Sequence, residues 1–190
     1  MNIQVGDIVA FRLTSFGAKI LSFILGIFEP SWRKRKQKFW HLAVVSEVME
    51  EQNMVKLIEA IGTGAREKYY NIDYLNSVAK IYGWFDKPIT RHRVEHFKKV
   101  YLGKPYDFGA YLGVIIAYLV NKYLKFSFRV VDQQYMCWEL ACAFARFNEK
   151  PLNENWEYPL ISNIINKLEA YENTVGCPYN GNNDMEGLKR

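Results

Sequence analysis

Short stretches of alternating or unbroken apolar residues fill the first part of the chain, and longer helical periodicities fill the second. Asp7–Arg12 reads as a short strand after a turn at Val5-Gly6. His41–Val48 and Met54–Ile61 predict two strands, joined by the polar connection Met49-Glu50-Glu51-Gln52-Asn53. Gly62-Thr63-Gly64 ends the second of these, and Val78–Trp84 is a further candidate strand. Between the first two strands, 16–28 reads as a helix and Ser31–Lys38 as a charged loop. A helix is predicted from Pro88 to Gly103, with Thr90 as its cap. Gly103-Lys104-Pro105-Tyr106-Asp107 is a turn, and a long apolar helix runs on to about Leu124. Phe126–Val131 alternates as a strand would. Residues 136–148 carry Leu140, Ala141, Phe144 and Phe147 at helical spacing, and Trp156–Tyr171 predicts a last helix. The Asn- and Gly-containing tail after Gly176 has no such pattern, so a protein partner is the expected source of any order in it.

Composition bounds the class. With 190 residues, 49% of them hydrophobic, the chain can bury a real core and is not a disordered polymer. One domain over 1–175 with a tail over 176–190 is expected. The net charge of +5 is moderate, and much of it sits in Arg33-Lys34-Arg35-Lys36-Gln37-Lys38. That is not the profile of a dedicated nucleic-acid binder, so no nucleic-acid partner is expected. The apolar run Phe16–Phe28 spans 13 residues, short of the roughly 20 that a membrane-spanning helix needs. With the basic run behind it, 16–38 also suits a peripheral contact with anionic lipid. Met1-Asn2-Ile3-Gln4 lacks the basic and apolar regions of a signal peptide, so a cytoplasmic or phage-associated protein is expected. The three cysteines, at 137, 142 and 177, form no Cys-x-x-Cys pair, which argues against a zinc knuckle and for free thiols.

One thiol stands where chemistry is possible. Cys137 opens its helix in Tyr135-Met136-Cys137-Trp138-Glu139-Leu140. The unpaired amides and the dipole of a helix start favour a thiolate, and the same amides can serve an oxyanion. Cys142 lies five residues on, roughly 140° around the helix, and reads as core. His41 heads its strand in Trp40-His41-Leu42-Ala43-Val44. If the hairpin pairs around residues 50–52, His41 and Glu59 share parity and one face. Glu59 sits in the otherwise apolar Leu57-Ile58-Glu59-Ala60-Ile61, and an acid there calls for a partner. It can orient the imidazole of His41 and stabilise its cation, as the third member of a triad does. A competing pattern, His92-Arg93-Val94-Glu95-His96, matches a zinc-binding His-x-x-Glu-His, but Arg91, Arg93, Lys98 and Lys99 around it repel a divalent cation. It reads as a solvated basic helix face, and neither metal nor cofactor is expected.

Five segments in order resemble NlpC-type papain-like cysteine peptidases. Val5-Gly6-Asp7-Ile8-Val9 resembles their Gly-Asp-hydrophobic strand, His41-Leu42-Ala43-Val44 their His strand, and Ile58-Glu59-Ala60 the strand that follows. Gly103-Lys104-Pro105-Tyr106 is similar to their Gly-x-Pro-Tyr turn, and Cys137-Trp138-Glu139-Leu140 to their Cys-Ser-Glu-Leu helix start. The His-before-Cys order is that of the circularly permuted branch, which includes YiiX-like proteins and, more distantly, the lecithin–retinol acyltransferase group. Trp138 stands where Ser is usual and Ala43 where Gly is common. The resemblance implies an α+β permuted papain-like fold, with a small antiparallel barrel-like sheet packed against helices. It implies Cys137 as nucleophile, His41 as base and Glu59 as orienting residue, with Tyr106 lining the site. Trp138 and Trp40, beside the two catalytic groups, are the other residues expected to meet substrate. The expected reaction is amide hydrolysis through an acyl-enzyme, on a peptide of the cell-wall (peptidoglycan) type. Two alternatives stay open: a lipid acyl hydrolase or acyltransferase at a membrane surface, and a non-enzymatic binding or virion structural protein on the same scaffold.

Overall fold

The computed structural model describes residues 3–12, 39–105, 136–152 and 161–175. Among the described residues, five antiparallel strands form one sheet in the order β4-β3-β2-β1-β5. They are β1 (Ile8–Arg12), β2 (Phe39–Met49), β3 (Met54–Ile61), β4 (Gly64–Asn71) and β5 (Ala79–Tyr82). Four α-helices accompany them in the described residues: α1 (Ile72–Val78), α2 (Arg91–Tyr101), α3 (Cys137–Phe147) and α4 (Ile161–Val175). The α+β class, the first strands, the hairpin and the cysteine helix are as the sequence pattern predicts. The helices expected up to Leu124 and over 16–28, the strand Phe126–Val131, the loop Ser31–Lys38 and the tail 176–190 lie outside the described residues.

The sheet is buried on both faces, and alternation sorts its side chains between two cores. Ile8, Ala10, Leu42, Val44 and Ile58 meet Leu140 and Phe144 of α3, Phe97 of α2 and Ile165 of α4. Val9, Ala43, Val45, Leu57 and Ile81 face the other way, with Leu75 of α1 among them. Each buried large side chain removes enough apolar surface to contribute about 1.5–3 kcal/mol.

The barrel expected from the sequence is corrected to an open sheet. β4 and β5 stand at opposite edges and do not pair with each other. The chain passes from one edge to the other through α1, so a helix with a buried Leu75, not a strand ladder, joins them. Asn71 starts this helix by accepting a hydrogen bond from Tyr74 N at 3.1 Å on its side-chain oxygen.

β4 turns back from β3 over Gly62-Thr63, a two-residue connection that pairs Ile61 with Gly64 and Glu59 with Arg66. The start of β4 is tied to the end of α2. Ala65 N donates to Lys104 O at 2.8 Å, and Gly103 N donates to Ala65 O at 2.9 Å. Gly64 makes this approach possible. Its φ is +108°, and a Cβ there would fall 2.5 Å from Lys104 O. Gly64→Ala is expected to cost about 1–3 kcal/mol from backbone strain alone. The urea unfolding midpoint checks it, and an unchanged midpoint would refute this account of the tie.

Candidate active site

Three elements deliver the predicted residues to one place. β2 and β3 stay paired only as far as Ala43 and Glu59. Beyond that point β2 continues on β1, with His41 opposite Phe11, while β3 continues on β4 to Ile61 opposite Gly64. The two strands part company there, and α3 packs against both β2 and β3. Cys137 is the first residue of that helix.

The parity of His41 and Glu59 depends on one extra residue. Near the hairpin, Met49 pairs with Met54 and Glu47 with Lys56. Continued without interruption, that register would set Val44 against Glu59 and turn His41 to the far face. The register instead shifts between Val45 and Glu47, which leaves Ser46 as a bulge and pairs Ala43 with Glu59. His41, two residues before Ala43, therefore shares the side of Glu59. The Ser46 hydroxyl, with one proton to share, lies within hydrogen-bond reach of two acceptors, Lys56 O at 3.1 Å and Glu67 Oε1 at 3.0 Å, which anchors the bulge.

His41 and Glu59 are both buried, and His41 Nε2 lies 3.1 Å from Glu59 Oε2. With Nε2 facing Glu59, Nδ1 is the nitrogen left for Cys137, whose side chain is near enough to act on the imidazole. The His41 ring centroid is 5.4 Å from that of Phe11 and 5.4 Å from that of Trp40. Two residues not singled out in the sequence complete the group. Arg66 donates to Glu59 Oε1 from Nε at 3.0 Å and from Nη2 at 2.9 Å. The Tyr70 hydroxyl donates to Glu59 Oε2 at 2.9 Å. The Gly62-Thr63 turn held the signal for Arg66, because a two-residue hairpin puts it directly across from Glu59.

The electrostatics follow from burial and charge. Burial works against an imidazolium, but the charge and hydrogen bond of Cys137, then those of Glu59, outweigh it and raise His41 from 6.5 to about 9. Burial likewise works against the Glu59 carboxylate. Its bond and charge interaction with His41, followed by the bonds from Arg66 and Tyr70, outweigh that and lower it from 4.5 to about 2. The raised His41 value adds stability that is full below pH 6.5 and lost as pH rises through about 9. The lowered Glu59 value adds stability that is full above pH 4.5 and lost as pH falls through about 2. Both contributions are thus complete between about pH 4.5 and 6.5. His41 ring protons followed by NMR are expected to titrate near pH 9, and clearly lower in Glu59→Gln. A midpoint near 6.5 in the unmodified protein would refute the coupling.

At the helix start the Cys137 amide precedes the first intrahelical bond, Leu140 N to Met136 O at 3.0 Å. Glu139 reaches back to accept from Met136 N at 2.8 Å, which fixes the entry of the chain into α3. Cys142 is half-buried on the same helix, and burial pushes its thiol up to about 12.

The other expected site residues divide. Trp40 is 38% exposed beside His41. The Trp138 side chain is packed in the core, so its main chain is the part nearest the chemistry. Tyr106 lies outside the described residues. The turn that leads to it is tied by Gly103 and Lys104 to Ala65, next to Arg66. His92 and His96 are exposed on α2, and His96 packs its ring on the edge of Phe147 at 5.1 Å. Among the described residues no group of three or more His, Cys, Asp or Glu could hold a metal ion, and no helix is long and apolar enough to cross a membrane. Compared with models of known protein families the chain gives no match, and no curated protein matches it.

Proposed function

We propose that this protein is a papain-like thiol hydrolase of the circularly permuted NlpC type, cleaving amide bonds through an acyl-enzyme. One observation carries the reading. A buried imidazole is bonded on one nitrogen to a carboxylate and interacts with a cysteine at a helix start. That arrangement sets a proton acceptor and donor beside the sulfur. The five matching segments, in permuted order, support the same assignment.

In the proposed reaction the Cys137 sulfur attacks the substrate carbonyl carbon. The carbonyl oxygen gains the displaced electron pair, and the main-chain amide of Cys137 contributes to holding it. The tetrahedral intermediate collapses, the carbon–nitrogen bond breaks, and His41 gives its proton to the leaving amine. A water then attacks the thioester, His41 takes a proton from it, and the acid and free cysteine are released. Glu59 holds the ring in orientation throughout and stabilises its cationic form. Peptides of the cell-wall type are the proposed substrates, on the strength of the resemblance. The interaction between His41 and Cys137 supports chemistry over a purely structural role. The lipid-directed alternative draws on residues 16–38, which lie outside the described residues.

The test is a stoichiometric acyl burst. Cys137 is only 3% exposed, so a small reagent is appropriate, and p-nitrophenyl acetate fits. One equivalent of nitrophenol should be released rapidly, with an acetyl adduct mapped by mass spectrometry to the peptide containing Cys137. Complete absence of that adduct would overturn the reading.

A further inference from the structure

Glu59 is almost fully covered, yet it belongs to more than the triad. An ionised carboxylate has about four acceptor directions. Two on Oε1 are taken by Arg66, and the two on Oε2 by Tyr70 and His41. Both added donors come from β4, where Arg66 pairs directly with Glu59 and Tyr70 follows on the same side of the strand. The carboxylate therefore cannot turn about its own axis without breaking several charge-assisted bonds. Tyr70 is braced in turn by Phe11, whose ring lies 5.5 Å from that of Tyr70 and 5.4 Å from that of His41. One phenyl ring thus ties the position of the hydroxyl to that of the imidazole.

We propose that Arg66 and Tyr70 are positioning residues of the thiol site, fixing both oxygens of Glu59 so that it meets His41 Nε2 in a single orientation. The proposal rests on the reading of Cys137, His41 and Glu59 as the reactive unit. An ion pair that merely fastened β4 to β3 would affect melting and leave the chemistry alone. Arg66 is 40% exposed at the side chain and sits on an edge strand, so its replacement is compatible with folding.

The experiment compares Arg66→Met, Arg66→Lys and Tyr70→Phe with the unmodified protein. It reads the burst rate at Cys137 with p-nitrophenyl acetate and the NMR titration of the Glu59 carboxyl carbon. Arg66→Met is expected to slow the burst roughly tenfold or more, as a small misplacement of a catalytic group does. Its Glu59 titration should move up from about 2 toward 4.5. Arg66→Lys restores the charge without the two-pronged grip and should recover only part of the rate. Tyr70→Phe should shift both readouts in the same direction, by less. If Arg66→Met and Tyr70→Phe both keep the unmodified burst rate and Glu59 titration, the proposal is overturned, whatever happens to their melting temperatures. If the unmodified protein itself shows no burst, the underlying reading fails, and this proposal with it.

Discussion

Cys137→Ala is expected to abolish the acyl burst and the acetyl adduct altogether. The substitution removes the only atom that forms the covalent bond in the proposed reaction, so the loss should be complete. Structural damage should be small. Alanine suits the first turn of a helix, and the replaced side chain is one of the smallest in its core. The Met136–Glu139 bond that fixes the helix start does not involve the sulfur. Cys142 cannot substitute for it. Burial pushes that thiol up to about 12, so almost none of it is thiolate at neutral pH. Peptide mapping separates any label on Cys177 from label on Cys137. An undiminished burst in Cys137→Ala would remove the thiol from the mechanism.

His41→Gln is expected to have the second-largest effect. Glutamine approximates the size of histidine and keeps a donor for Glu59, but it cannot carry a proton in and out. Loss of a general base costs about 10²–10⁴-fold in rate. The loss here should fall within that range, because two functions disappear together: the cation beside the sulfur and the proton donor to the leaving group. Glu59 would keep its bonds from Arg66 and Tyr70, so the sheet should stay intact. The second half of the reaction should suffer as well. Any adduct that does form should persist, because deacylation needs the same imidazole to take a proton from water. A variant that acylates and deacylates at the unmodified rate would show that His41 is a packed core histidine.

How much of this was legible in the sequence depended on the range of the signal. The Cys137 helix could be read because its apolar period and its start are local features. The pairing of His41 with Glu59 was legible in outcome but not in cause. Sharing a face required a hairpin register, and the inner register alone gives the opposite answer. The correction comes from Ser46, whose place as a bulge depends on hydrogen bonds to Lys56 and Glu67 from neighbouring strands. β4 went unread because Arg66-Glu67-Lys68 resembles a charged loop. Edge strands carry such charges because they guard an open edge, and this one spends Arg66 inward on Glu59. The barrel-like sheet was inferred from resemblance, and the five described strands, joined at their far edges by α1, give an open sheet instead. The short α1 had its own signal in Asn71, a cap residue directly before Ile72-Asp73-Tyr74-Leu75, but seven residues carry too little periodicity to stand out.

The central claim is that Cys137 and His41 act as one charge-coupled pair. Its most direct test is the rate of alkylation of Cys137 by iodoacetamide at pH 6, compared between the unmodified protein and His41→Gln. Activation of the sulfur by His41 predicts that the unmodified protein is alkylated at least about tenfold faster. Equal rates in the two proteins at that pH would contradict it.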